Sequence, residues 1–94
     1  MADWWVYMVE CRGGYLYTGI STDVKLRFQQ HQRGKGAHFM RLHPAEKIRA
    51  ALCLGSRSAA SCLEYSLKQQ PKAKKLQWIA SYPWASVEAP EAEL

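Results

Sequence analysis

Residues 15–31 read Tyr15-Leu16-Tyr17-Thr18-Gly19-Ile20-Ser21-Thr22-Asp23-Val24-Lys25-Leu26-Arg27-Phe28-Gln29-Gln30-His31. The run from Tyr15 to Thr18 is rich in aromatic and β-branched types, which suit a pleated surface. Gly19 permits close backbone approach within that strand. Thr22 or Asp23 can then cap a helix, along which Val24, Arg27, Phe28 and His31 recur at three- and four-residue steps. A phenol, a guanidinium and an imidazole thus share one strand–turn–helix unit. Arg27 and His31, four apart, share a helix face.

Working outward, residues 4–11 form an apolar run of strand length. Arg12-Gly13-Gly14 is a turn signal, so 4–11 and 15–20 read as a β-hairpin. Its loop length decides the geometry. A two-residue loop at Gly13-Gly14 pairs position 7 with 20 and puts Tyr7 and Tyr17 on opposite faces. A three-residue loop, 12–14, pairs 7 with 19 and 9 with 17 and puts both phenols on one face. The first helix is expected over 22–33, stopping at Gly34. Residues 34–46 read as a basic loop, with Pro44 opposing a helix across its second half. A third strand, 47–54, precedes a helix over 57–69 capped by Ser56 or Ser58, with Ala59, Cys62, Leu63, Ser66 and Leu67 inward. Pro71 opens a last helix, 71–81, with Leu76 and Ile79 inward and Lys72, Lys74 and Lys75 solvated.

The order ββ-α-β-α-α predicts an α/β fold: a small three-stranded antiparallel sheet flanked by helices. The domain is expected over residues 1–82. Residues 83–94 are rich in Pro, Ala and Glu and read as a flexible C-terminal tail, with Trp84 the one candidate to pack back.

A chain of 94 residues with 48% hydrophobic content is one domain with a real core rather than a disordered segment. A net charge of +5 favours polyanionic partners. No apolar run reaches membrane-spanning length and no signal peptide is visible, so the expected location is the cytoplasm. Cys11, Cys53 and Cys62 lack metal-site spacing and read as reduced, buried thiols rather than a disulfide frame.

The chain resembles the GIY-YIG nuclease superfamily, and within it the small bacterial members related to the excision-repair and structure-specific resolvase nuclease modules. Val6-Tyr7 matches the end of the first half-motif, and Tyr17-Thr18-Gly19 the second. Arg27-Phe28-Gln29-Gln30-His31 matches the helical R-x-x-x-H, and Glu64 in Cys62-Leu63-Glu64-Tyr65 the later acidic metal ligand. The likeness covers roughly residues 4–80. It implies a three-stranded α/β sandwich and an Mg²⁺- or Mn²⁺-dependent DNA endonuclease in a DNA-repair setting, without a small-molecule cofactor and monomeric. A shared active site also implies the three-residue hairpin loop. Gly19 then has a structural role, and Gly34-Lys35-Gly36-Ala37 fits the same group.

Each site residue has an ordinary reading beside the chemical one. Glu64 is either the ligand of a hard cation or an i,i+4 ion-pair partner of Lys68. Arg27 is a phosphate fork or a surface arginine, although its place among Val24, Phe28 and His31 is odd for a solvated charge. His31 orients or deprotonates water, or is a cation at the helix C-terminus. Tyr17 and its neighbour Tyr7 activate water in the family reading, or pack as half-buried strand tyrosines. Tyr15 and Tyr65 read as packing alone. Lys35, His38 and Arg41 are candidate nucleic-acid contacts, and Trp4, Trp5, Trp78 and Trp84 candidate base-stacking groups. His38-Phe39-Met40-Arg41, and Leu26 before Arg27, depart from the family's usual residues and bear on substrate preference. The first expectation is a nuclease selecting single strands, flaps or branches over base sequence. The alternatives are a non-enzymatic nucleic-acid-binding module acting through a partner, and a small-molecule or protein-interaction domain, for which no motif speaks.

Overall fold

The computed structural model describes residues 2–85 and Val87. Three strands, β1 (Trp4–Cys11), β2 (Tyr15–Ser21) and β3 (Ala45–Gly55), form one antiparallel sheet in the order β2-β1-β3. Helices α1 (Val24–Gln32) and α2 (His38–Leu42) lie between β2 and β3 in sequence. Helices α3 (Arg57–Lys68) and α4 (Lys72–Ser81) follow β3.

The hairpin takes the three-residue loop. Tyr7 pairs with Gly19 and Val9 with Tyr17, so both phenols point to the same face. On the other side of β1, Met8 pairs with Ala50 but Val9 with Ile48, which leaves Arg49 as a bulge residue. Its guanidinium pairs with the Glu10 carboxylate across the strands.

Strand alternation feeds two cores. Tyr7, Val9 and Cys11 join Val24, Met40, Ala45 and Ala51 on the face that carries α1 and α2. Val6 and Met8 join Ala50, Ala60, Leu67 and Ile79 on the face that carries α3 and α4. Val6, Met8 and Val9 are fully buried, and such side chains contribute about 1.5–3 kcal/mol each. The Cys11 thiol is pushed up to about 11 by burial first, then by Glu46 and Glu10, so it stays protonated.

Local chemistry sets the helix starts. Asp23 caps α1 by accepting the Leu26 N–H at 3.0 Å, and Ser56 caps α3 by accepting the Ala59 N–H at 3.1 Å. Four expectations are corrected. First, α2 forms inside the stretch read as a loop. Pro44 does not prevent it but stops it, since the residue before a proline leaves the helical region and α2 ends at Leu42. Second, Cys62 and Ser66 of α3 are exposed and Ala60 takes the inward place. Third, Leu76 of α4 is exposed, leaving Ile79 as that helix's buried residue. Fourth, only Cys11 is a buried thiol; Cys53 and Cys62 face solvent. Beyond α4 the chain returns to β3. The Ala51 N–H donates to the Tyr82 carbonyl at 3.1 Å, and Pro83 bridges Ala50. Trp84 packs against the first core. Of the expected tail, positions 86 and 88–94 lie outside the described residues.

Candidate active site

The first face holds a polar cluster within its core. Tyr7, at the middle of the central strand, is 1% exposed and His31 is 0% exposed. Their contact is a hydrogen bond of 2.8 Å between the Tyr7 hydroxyl and His31 Nε2. His31 Nδ1 lies 3.3 Å from the Lys35 carbonyl oxygen, which can only accept. Nδ1 therefore carries the ring proton, and the Tyr7 hydroxyl donates to Nε2. Burial lowers the proton affinity of His31. The Lys35 carbonyl opposes this, and the Arg27 charge reinforces it. A neutral, buried imidazole is not the solvated helix-end cation of the ordinary reading.

Burial likewise pushes the Tyr7 phenol above its ordinary range, with Tyr17 adding to it. Arg27 pulls it back, and Glu64 raises it slightly. Gly19 makes the arrangement possible. Directly opposite Tyr7, a Cβ there would overlap the phenol hydroxyl.

Tyr17 is half-buried. Its ring stands edge-on to His31 at 5.3 Å and stacks on Phe39 at 6.1 Å. Arg27 is held from behind: Nη1 donates to Gln30 Oε1 at 2.8 Å, and the guanidinium lies against Gly36. A Cβ on Gly36, whose φ is +98°, would stand 2.9 Å from Arg27 Nη2. Gly36 therefore makes room for the arginine. The guanidinium opens on a groove of about 380 Å³ that Gln30, Arg33 and Lys35 also line. His38 and Arg41 are exposed on α2 and do not line this groove.

Glu64 arrives from α3, which packs on the opposite face. Its carboxylate pairs with Lys68 Nζ at 3.3 Å, as the ordinary reading expects. The same Nζ lies 5.8 Å from the centroid of the Tyr17 ring. This end of α3 thus reaches around the free edge of β2, and Glu64 is near enough to raise the proton affinity of Tyr7. Tyr7, Tyr17, Arg27 and His31 form one cluster, and Glu64 approaches it from the edge. Among the described residues no group of three or more His, Cys, Asp and Glu could hold a metal. A single carboxylate suits a cation that takes its other ligands from substrate phosphate and water, which is how Mg²⁺ is often held.

Sequence reading missed Gln30, the contact of Gly36 with Arg27, the stacking of Phe39 on Tyr17 and the approach of Lys68 to the Tyr17 ring. The i,i+3 spacing of Arg27 and Gln30 was an available signal. Nothing in the sequence pointed to Phe39 as the partner of Tyr17.

No helix among the described residues is long and apolar enough to cross a membrane. Residues 3–77 match the GIY-YIG catalytic domain. A UPF0213 protein of Xanthomonas campestris is 43% identical over 76 residues, covering 81% of this chain and 74% of that one. Another, from Serratia liquefaciens, is 41% identical over 97 residues, covering 100% of this chain and 93% of that one. The solution structure of a UPF0213 protein from Bacillus halodurans superposes with a TM-score of 0.53 at 35% identity, covering 83% of both chains. The α/β fold of this chain matches that neighbour's. Residues 3–77, which carry the cluster on the first face, are thus matched as a whole, and the chain belongs to the GIY-YIG family, alongside the UPF0213 proteins.

Proposed function

We propose that the protein is a metal-dependent DNA endonuclease that hydrolyses phosphodiester bonds and selects its substrate by structure rather than base sequence. The observation that carries this reading is the buried Tyr7–His31 hydrogen bond, set among Tyr17 and Arg27. A polar pair sealed in a core costs stability, and perturbed groups of this kind cluster at functional sites.

In this reading a water attacks the phosphorus and an alkoxide oxygen leaves. Tyr17, the less buried phenol, contacts and orients the water. Tyr7 stands behind it as a relay: as the water's proton passes to the Tyr7 oxygen, the Tyr7 hydroxyl proton passes to His31 Nε2, which later releases it to solvent. Arg27, through the basic groove, offsets charge on the phosphate. Gln30 and Gly36 hold the guanidinium in place. Lys35 contacts the backbone beside the scissile phosphate. Glu64 would hold Mg²⁺ or Mn²⁺, which supplies Lewis-acid polarisation of the phosphate when bound.

A second reading, a nucleic-acid-binding module without activity, is favoured by the Glu64–Lys68 ion pair, which occupies the one candidate ligand. A cleavage screen over single-stranded, duplex, flap and branched DNA, in Mg²⁺ and in EDTA, separates the two. Mg²⁺-dependent cutting of at least one substrate supports the nuclease. Binding without cutting of any substrate supports the module.

A further inference from the structure

We propose that Tyr15, supported by Phe39 and His43, is a stacking platform for an unpaired base of a single-stranded nucleic acid, next to the Tyr17 site. The inference rests on the nucleic-acid reading for its ligand and deepens it, because it names the state of the strand that the site prefers.

A continuous row of rings leads outward from the site. Tyr17 stacks on Phe39 at 6.1 Å with planes 23° apart. Phe39 meets Tyr15 edge-on at 5.6 Å. His43 lies 4.4 Å from Tyr15 and 4.8 Å from Phe39, bracing both. Along this row exposure rises: Tyr17 and Phe39 are half-buried, and Tyr15 is 50% exposed. A tyrosine that served only to pack α2 on the hairpin would have its ring covered. Here the residue is half exposed while two other rings fix its orientation.

The four tryptophans, which the sequence offers first as stacking groups, are otherwise engaged. Trp4 lies under the Arg57 guanidinium at 5.2 Å, and Trp78 against Tyr82 at 5.4 Å. Trp5 and Trp84 pack on the first core.

The surroundings suit a phosphate backbone. Neither the segment 11–22 nor the segment 24–45, which together carry all four rings, contains an acidic residue. Arg12 beside the turn and Arg41 on α2 are both exposed. Lys72 donates to the Gly14 carbonyl at 3.0 Å, which anchors an ammonium next to Tyr15. An ammonium has three donors, so that bond leaves two for phosphate. Aromatic stacking accepts any base, but only one that is free of its own stack, so a platform of this kind discriminates strand state rather than sequence.

The test measures binding of fluorescein-labelled oligo(dT), oligo(rU) and a blunt DNA duplex in EDTA by anisotropy, for wild type, Tyr15→Ala and Tyr15→Phe. Tyr15→Ala should weaken oligo(dT) binding by between about 5-fold and about 100-fold, the range that loss of one base–aromatic stack gives. Tyr15→Phe should bind like wild type, and the duplex affinity should be the same for all three. Parallel loss on oligo(rU) would assign both nucleic acids to the platform, and loss on oligo(dT) alone would restrict it to DNA. An unchanged oligo(dT) affinity in Tyr15→Ala, or an equal loss on the duplex, overturns the proposal. Should Tyr15→Ala not fold, wild type is compared on oligo(dT) and on an oligomer of abasic sites; equal affinity overturns it. Cleavage in Mg²⁺ is read separately. Binding through Tyr15 without cleavage leaves the platform standing and removes the nuclease reading. Cleavage with an indifferent Tyr15→Ala does the reverse.

Discussion

The two faces of the sheet are built from one strand yet do different work. Val6 and Met8 point from β1 into a dry core with Ala50, Ala60, Leu67 and Ile79. Tyr7 and Val9, one step along the same strand, point into a core that also seals an imidazole and a phenol hydroxyl. Apolar burial on the second face contributes stability, with the buried, unpartnered hydroxyl of Thr18, opposite Met8, as a polar cost. On the first face part of that gain is given up to hold Tyr7 and His31 away from water, hydrogen-bonded to each other and, through His31, to the Lys35 carbonyl. Sealing a titratable pair is a poor way to stabilise a small sheet and a good way to tune proton affinities. The register of one three-residue loop decides which side chains go where.

Breaking the dry face should have the largest effect on stability. Met8→Ala removes a fully buried side chain from the second core. It should cost about 2–5 kcal/mol, a fall in melting temperature of at least about 10 °C. Calorimetry checks it, and activity per folded molecule should be kept. A loss of activity in the folded fraction would show that the faces are not separable.

A smaller effect follows on the wet face. Tyr7→Phe keeps the ring and removes the hydroxyl, leaving His31 Nε2 without its donor. The expected cost is about 1–3 kcal/mol by chemical denaturation, the desolvation penalty of one unpaired polar group. Stabilisation instead would mean that water replaces the phenol.

The smallest effect is a pH dependence that the dry face lacks. His31 has a folded-state pKa below its unfolded value of 6.5. The unfolded chain therefore binds the extra proton first, and stability that is complete above about 6.5 is lost as pH falls from there towards the folded pKa. The slope within that window is at most about 1.4 kcal/mol per pH unit. Denaturation curves from pH 8 to 5 on wild type and His31→Gln check it; His31→Gln should lack this component. Equal slopes in the two proteins would place the titration elsewhere.

The halves of the molecule also differ in how far the sequence discloses them. The hairpin, α1 and the three-stranded sheet follow from alternation, turn residues and caps, which act within a few positions. Both phenols on one face follow from loop parity once a shared site is required. What the sequence hid was tertiary. Leu76 and Cys62 obey helical periodicity yet face solvent, because the packing of α3 and α4 on the sheet, not the period, chooses the buried stripe. The α2 helix was hidden by Pro44, which limits a helix only from its own position backwards by a residue or two. At the site, Tyr7, Tyr17, Arg27, His31 and Glu64 were nameable from motif spacing. The burial of His31, the room that Gly36 leaves for Arg27, and the Phe39 ring against Tyr17 depend on contacts between segments distant in sequence or on a loop's φ, which no local pattern encodes.

The central claim is that the wet face is a hydrolytic site completed by the Glu64 carboxylate from the edge of β2. The most direct measurement is a matched set on wild type and Glu64→Gln: melting temperature, affinity for a labelled oligonucleotide in EDTA, and cleavage in Mg²⁺. The substitution keeps volume and hydrogen bonding and removes only the charge. Its Lys68 pair is a partly exposed i,i+4 contact worth only about 0.3–0.5 kcal/mol, so melting should barely move. Binding should hold or tighten, because a negative charge facing phosphate has gone. Cleavage should fall by about a hundredfold or more, as when one preorganised electrostatic group is lost. A Glu64→Gln protein that folds, binds and cuts at the wild-type rate would contradict the account.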